Sequence, residues 1–428
     1  MKKYYIKTFG CQMNVHDSEK MAGILEQADY QKTDDPSDAD VIVFNTCSIR
    51  SKAEQKFYSD LGRIKGLKKQ NPDLSIVVAG CIAQQEAGKI HKRAPFVDHV
   101  IGPQHITRIG NLSSRPGKST LTLESADIAY ESTPAKRDSN VRAWVNIMYG
   151  CNNFCSYCIV PYTRGREVSR PSRDILEEIR ALGERGYKEI TLLGQNVNSY
   201  RADTDFVGLL REVNSIPEIE RIRFITSHPR DFSPRLIQAL SDLPKVCEHV
   251  HLPLQSGSDR ILNLMNRGYT YQGYLDKVVA LRESVPGIAI TTDIIAGFPS
   301  ETEDDHNDTI RSLKEIEFDG IFAFIYSPRP GTRAASMDRH VDDSVKSERL
   351  SHILNVQDEV TMKKNALLAG HVVDVLIDYE PNTREISGRT RTNKILSIRS
   401  SGPLEPGSIV PVVITEAYKH SLVGRPAK

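Results

Sequence analysis

The chain has 428 residues, 39% of them hydrophobic, enough for roughly two to four domains with cores of their own. Its 56 Lys and Arg stand against 55 Asp and Glu for a net charge of +1, so any nucleic-acid site has to be a local patch, not a property of the whole surface. The N-terminal MKKYYIKTFG lacks an apolar signal core, and nowhere do about 18 apolar residues run together, so no membrane association is expected and the cytoplasm is the expected compartment.

In such a reducing compartment the seven cysteines, an odd number in a large chain, point to metal or redox chemistry and not to a disulfide framework. KKYYIKTFGC, DVIVFNTC and SIVVAGC read as strands, the last two being near-continuous apolar runs of the kind covered on both faces. Each ends in a cysteine. Cys11, Cys47 and Cys81 are therefore one strand-helix-strand unit apart, with helical patterns such as DSEKMAGILEQA between them. The sheet this implies is parallel and doubly wound, and in such sheets the carboxyl ends of the strands share one crevice. A single cysteine there could be a small packed residue; three at one repeating address predict a three-thiolate site. The predicted domain covers residues 1–111. The polar stretch 112–140 reads as a linker.

From Val141 to 366 a strand-then-helix pattern repeats six times: AWVNIMYG, EITLLGQNV, RIRFITSHP, HVHLPLQSG, AITTDIIAGFP and GIFAFIYSP. This predicts an open or partial (β/α)6 barrel. Ser233 before Pro234 marks one helix start, and Ser300 with Glu303 fits a capping box. Barrel enzymes carry their chemistry on the loops after the strands, and CNNFCSYC follows the first strand. It places Cys151, Cys155 and Cys158 on one loop with no fourth cysteine nearby. Zinc would also accept three ligands and an open position, but no histidine lies in the loop and the spacing is not that of a zinc ribbon. Cys247, far along the chain in KVCEHV, reads more simply as a packed thiol. A four-iron cluster held by three thiolates explains the count better, because one iron is left to bind a ligand. Gln195 and Asn196, after the second strand, are candidates for a cofactor contact by location, or for ordinary loop hydrogen bonding.

Residues 367–428 alternate in strand fashion between Gly and Pro, as in a small antiparallel β-barrel. Within it GRTRTNK carries Arg389, Arg391 and Lys394 without an acid, which reads as an RNA-backbone ribbon or as a solvated strand face. RIKGLKKQ, in the first domain, reads as a solvated helix face.

The C-x3-C-x2-C loop resembles that of the radical S-adenosylmethionine (SAM) superfamily, including Tyr157, at a position that in that family lies beside the adenine. DIIAGFPSET resembles the family's fifth-strand Gly-x-Pro region, which implies cofactor contacts by Asp293 and Pro299. The Gly-Gly-Glu motif of many relatives is absent; LLGQNVNSY stands in its place. With TFGCQMN, NTCSIR and AGCIAQ at the first site and a TRAM-like third domain, the whole chain resembles the methylthiotransferase family. GCNNFCSYCIVPYTRGREVSRP, YSPRPGTRA and GRTRTNK are similar to its tRNA-modifying branch. The resemblance implies two [4Fe-4S] clusters, one on Cys151, Cys155 and Cys158 that cleaves SAM to a radical, one on Cys11, Cys47 and Cys81 that delivers sulfur. It implies a tRNA substrate, with methylthiolation at C2 of an isopentenylated adenosine beside the anticodon. It also implies an electron donor of flavodoxin or ferredoxin type and a possible sulfur-delivery partner. Action on another tRNA adenosine or on a ribosomal protein is the alternative within the family. A metal-stabilised RNA-binding module is the alternative outside it.

Overall fold

Every residue of Val41–Thr46 and of Ser75–Gly80 is buried, as their unbroken apolar runs require of strands covered on both faces. The computed structural model describes residues 1–48, 51–112, 117–122, 135–379 and 386–427. Within it the chain forms two units: Met1–Asp138 with Tyr149–Phe154 and Cys158–Val168, and Ser139–Met148 with Cys155–Tyr157 and Ser169–Lys428.

In the first unit, six strands pair in parallel: β1 (Lys2–Thr8), β2 (Tyr30–Lys32), β3 (Val41–Thr46), β4 (Ser75–Gly80), β5 (His99–Ile101) and β6 (Ser119–Leu121). Their order is β2-β1-β3-β4-β5-β6. Alternate residues serve opposite faces. Ile42, Phe44, Ile76 and Val78 pack with Phe57, Leu61 and Ile64 of helix α2 (Ser51–Gln70), while Val41, Val43, Val77 and Ala79 pack with Met21, Ala22 and Leu25 of helix α1 (Gln12–Gln27). The sheet is doubly wound, and its order reverses between β1 and β3, the point at which such sheets open their crevice.

The stretch 112–140 is not all linker. Ser119–Leu121 joins β5 as an edge strand, and His91 reaches the Ser119 carbonyl and the Thr120 hydroxyl. Three residues carry too little alternation to register as a strand in the sequence. Residues 135–138 return to α1, where Arg137 binds Glu19; 113–116 and 123–134 lie outside the described residues.

The second unit contains the six predicted barrel strands. β7 (Arg142–Asn146), Glu189–Leu193 and Arg221–Phe224 pair in parallel; so do His249–His251, Ala289–Ala296 and Gly320–Ile325, and an Ile222–Val246 bridge connects the two trios. This is a partial (β/α)6 barrel around a single large apolar core. Ser233 caps its helix by accepting from the Leu236 amide, with Pro234 at the first position, as predicted. The predicted Ser300–Glu303 capping box is displaced by two residues. Thr302 and Asp305 form it, because Ser300 sits at a left-handed φ of 67° that cannot lead into a helix.

Beyond the helix Asp343–Ala366, five strands close a barrel: Val372–Ile377, Ile386–Thr390, Ile395–Ile398, Ile409–Ala417 and Leu422–Pro426. Four pairings are antiparallel, and the parallel pairing of Ile395–Ile398 with Leu422–Pro426 completes the closure. Residues 380–385 lie outside the described residues.

Candidate active site

Strand register places the first cysteine set. Thr8 pairs with Asn45 and Thr46 with Gly80, so Cys11, Cys47 and Cys81 follow three adjacent strands onto the carboxyl edge of the sheet, Cys11 and Cys47 flanking its reversal point. Two glycines clear the ground. A Cβ on Gly10, at φ 116°, would lie 2.4 Å from the Cys47 Cβ, and one on Gly80, at φ 91°, would lie 2.5 Å from the Thr46 carbonyl oxygen. Asn14 and Asn45 knit the edge: the Asn14 amide donates to the Thr46 carbonyl at 2.8 Å and the Asn45 amide to the Asn14 carbonyl at 2.7 Å. Among the described residues no group of three or more His, Cys, Asp or Glu is arranged to hold a single metal ion.

The same unit buries a charge here that sequence reasoning left unassigned. Arg164, in the YTRGR stretch after Cys158, is 5% exposed and donates to Asp17 at 2.8 Å and to the Asn14 side-chain oxygen at 3.4 Å. Its helical turn Val160–Thr163 packs on Cys81–Glu86. Burial works against the guanidinium charge, but Asp17, Cys81 and Cys11 outweigh it and hold the arginine firmly protonated.

Of the second set, Cys151 and Cys158 belong to the first unit and Cys155 to the second. Cys151 accepts from the Asn153 amide at 3.5 Å and donates its own amide to the Gly165 carbonyl. Cys155 is buried and meets the Arg267 guanidinium at 3.3 Å. Arg267 was not identified from the sequence; it stands after a short helix, outside any motif. It also reaches the Tyr157 hydroxyl at 3.4 Å and the Pro253 carbonyl at 3.0 Å. Burial lowers its proton affinity, yet Tyr157, Tyr269 and Cys155 raise it further, so the charge is permanent.

Around the barrel mouth the structure leaves buried polar atoms of Gln195, Asn196, Ser227, His228 and Tyr326 without a partner among the described residues. Buried groups of this kind are normally satisfied, so their concentration at the strand ends marks a place for a polar ligand. Asn196 keeps its amide on Asp231 at 2.8 Å. His228 accepts the Arg230 amide on Nδ1, which leaves the proton on Nε2. Asp293 faces His251 at 3.4 Å, and Pro299 follows a bend at Gly297, whose amide donates to Glu301 at 2.9 Å. Within the second unit, the unpartnered polar atoms, the fixed Arg267 cation and the Cys155 thiol are of the chemistry that SAM and an iron–sulfur cluster call for.

The cations of GRTRTNK are engaged within their own unit and do not stand out to solvent. Arg391 grips both oxygens of Glu248, at 2.7 and 2.7 Å, and Lys394 binds Asn365 at 2.8 Å and Asp319 at 3.5 Å. Arg389 holds Asn393. Arg221 and Arg223, from the third barrel strand, donate in turn to the Arg389, Thr390 and Arg391 carbonyls at 2.7–2.8 Å. The loop is not a solvated strand face: it docks the small barrel on the large one, with its cations paired inside the unit. Cys247 is buried beside these arginines, and burial raises its thiol pKa.

A partial six-stranded barrel with a C-x3-C-x2-C loop after its first strand defines a radical SAM enzyme. Residues 145–313 match the Radical SAM superfamily, residues 3–102 the Uncharacterized protein family UPF0004 and residues 367–427 the TRAM domain. The fold resembles that of the radical S-adenosylmethionine methyltransferase TsrM from Kitasatospora setae, with TM-score 0.56 and 14% identity over 78% of this chain and 74% of that one. It also resembles the cobalamin-dependent radical enzyme OxsB, with TM-score 0.54 and 12% identity over 85% and 56%. At these identities the likeness is one of fold. Over the full chain the similarity is much closer: 53% identity to the tRNA-2-methylthio-N(6)-dimethylallyladenosine synthase of Thermodesulfovibrio yellowstonii, covering 98% of this chain and 97% of the relative. The corresponding protein of Caldicellulosiruptor saccharolyticus is 49% identical over 99% and 92%. The chain belongs to this family of tRNA methylthiotransferases.

Proposed function

We propose that the chain converts N6-dimethylallyladenosine beside the tRNA anticodon to its 2-methylthio derivative, using SAM and two [4Fe-4S] clusters held by Cys151, Cys155 and Cys158 and by Cys11, Cys47 and Cys81. The observation that carries this reading is the pair of incomplete cysteine sets, each at the carboxyl end of parallel strands and each beside a buried guanidinium. Bound to the barrel loop, SAM and its cluster would supply a 5′-deoxyadenosyl radical able to take hydrogen from an unactivated C2; the other cluster would supply the sulfur and a second SAM the methyl.

The chain's own residues bind and orient. Arg267, locked by Tyr269 and the Pro253 carbonyl, would offer a fixed positive charge beside Cys155 to an anionic group of SAM or its cluster. Tyr157 closes on the apolar cluster of Ile261, Met265 and Phe298, which keeps water from its ring. Gln195, Asn196, Ser227 and His228 complete their hydrogen bonds on the polar groups of cofactor and substrate, with Asp293 and Pro299 on the fifth strand shaping the same mouth. Residues 1–111 carry the sulfur-delivering site, 141–366 the radical chemistry and 367–428 the tRNA-binding module. A flavodoxin- or ferredoxin-type donor supplies electrons, a sulfur-delivery partner restores the first cluster, and the work is cytoplasmic.

The test is anaerobic reconstitution, with about eight irons per chain expected for two cubes. Incubation with SAM, dithionite and dimethylallylated tRNA should then give the methylthio nucleoside by mass spectrometry. An untouched dimethylallyladenosine, with the methylthio group appearing on another nucleoside or a ribosomal protein, would reject the substrate assignment.

A further inference from the structure

We propose that the buried Arg164–Asp17 pair is a positioning pair that sets the reduction potential of the first-site cluster; this rests on the cluster assignment above. A surface ion pair would be unremarkable, but this one is almost dry, with Arg164 and Asp17 5% and 3% exposed. Buried pairs give little net stability, because desolvation consumes most of the attraction, so stability is a weak reason for its presence. Its location offers a better one. Asn14, which accepts from Arg164, also faces the Cys11 thiol at 3.6 Å and reaches the strand end that leads to Cys47. The turn carrying Arg164 packs on the helix that begins at Cys81.

A positive charge held there, with no water to screen it, favours the added electron when the cluster is reduced, and Asp17 offsets part of that field. Cluster potentials respond to net charge, hydrogen bonding and exposure, and the pair supplies charge of both signs at fixed points. The two residues must therefore act in opposite directions. Removing the cation makes the cluster harder to reduce; removing the anion makes it easier.

The experiment uses the full chain with Cys151, Cys155 and Cys158 replaced by alanine, so that reconstitution loads only the first site. One-electron reduction by dithionite is followed by electron paramagnetic resonance at set potentials. Arg164→Gln should shift the midpoint negative and Asp17→Asn positive, each by about tenfold in the reduction equilibrium, or 59 mV for one electron, while Arg164→Lys stays nearest the parent. A merely structural pair would move both variants the same way, or neither, and that result overturns the proposal. Should Arg164→Gln fail to fold, Asp17→Asn decides alone: a positive shift supports the proposal, and no shift or a negative one rejects it. A parent that binds no iron overturns the cluster assignment and this inference together; iron bound with unsplit potentials overturns this inference only.

Discussion

His228 is buried beside two arginines, and burial with their charge decides its protonation state. Burial first, then Arg267 and Arg230, push its imidazole down to about 2. The ring is neutral in the folded chain throughout the physiological range, whereas in the unfolded chain it gains a proton below about pH 6.5. The unfolded state thus binds more protons between these values. Stability from this group is fully present above about pH 6.5 and falls with further acidification, by up to about 1.4 kcal/mol per pH unit. Denaturant midpoints at pH 7.5 and pH 5 should therefore converge in His228→Gln relative to the parent; an unchanged gap would show that the imidazole is not held neutral. A backbone counterpart is Gly10, where alanine meets both a left-handed φ and the Cys47 Cβ. Gly10→Ala should lower iron loading at the first site, read in the chain that lacks the second cysteine set, and leave SAM cleavage in the otherwise unaltered chain intact. At this scale the six cysteines were legible because spacing alone marks them. Arg164, Arg267 and His228 were not, because what sets them apart is burial beside a thiol or another cation, which no local pattern records.

Among elements, legibility followed length. The long buried strands of both sheets announce themselves by apolar runs, while β2, β5 and β6, of three residues each, are held by backbone pairing and leave little trace. The capping box moved because two Ser/Thr-x-x-acid frames overlap in SETEDD, and only the backbone chooses between them. GRTRTNK shows a third limit: its basic character was legible, but Glu248 and Asp319, its partners, lie 143 and 75 residues away. Docking makes a prediction that phosphate binding does not. Arg391→Ala should lower stability by about 1–3 kcal/mol, because it strips the part-buried Glu248 and the Pro244 and Val246 carbonyls of their donor. With Glu248→Ala the losses should not add. A variant of unchanged stability that binds tRNA more weakly would return Arg391 to the RNA face.

For the whole molecule the order of parts was readable because the pattern changes twice along the chain, from doubly wound strands, to strand-helix repeats, to short antiparallel strands. The roles proposed for the two cysteine sets, which lie in different segments, can be separated by substitution. Replacing Cys151, Cys155 and Cys158 by alanine removes the position at which SAM is cleaved, and 5′-deoxyadenosine should vanish. Replacing Cys11, Cys47 and Cys81 leaves the Cys155–Arg267 contact and the barrel core in place, since neither involves any of the three. SAM should then still be cleaved on addition of dithionite, at a rate within a few-fold of the parent, but no sulfur should enter the tRNA. Iron should fall from about eight to about four per chain in either triple variant. Iron counts by themselves do not assign a role, so the decisive reading is the pair of products: cleavage without thiolation in one variant, neither in the other. Methylthiolated nucleoside from the Cys11, Cys47 and Cys81 variant would show those three to be packing residues at a sheet edge, and the sulfur would have to come from elsewhere.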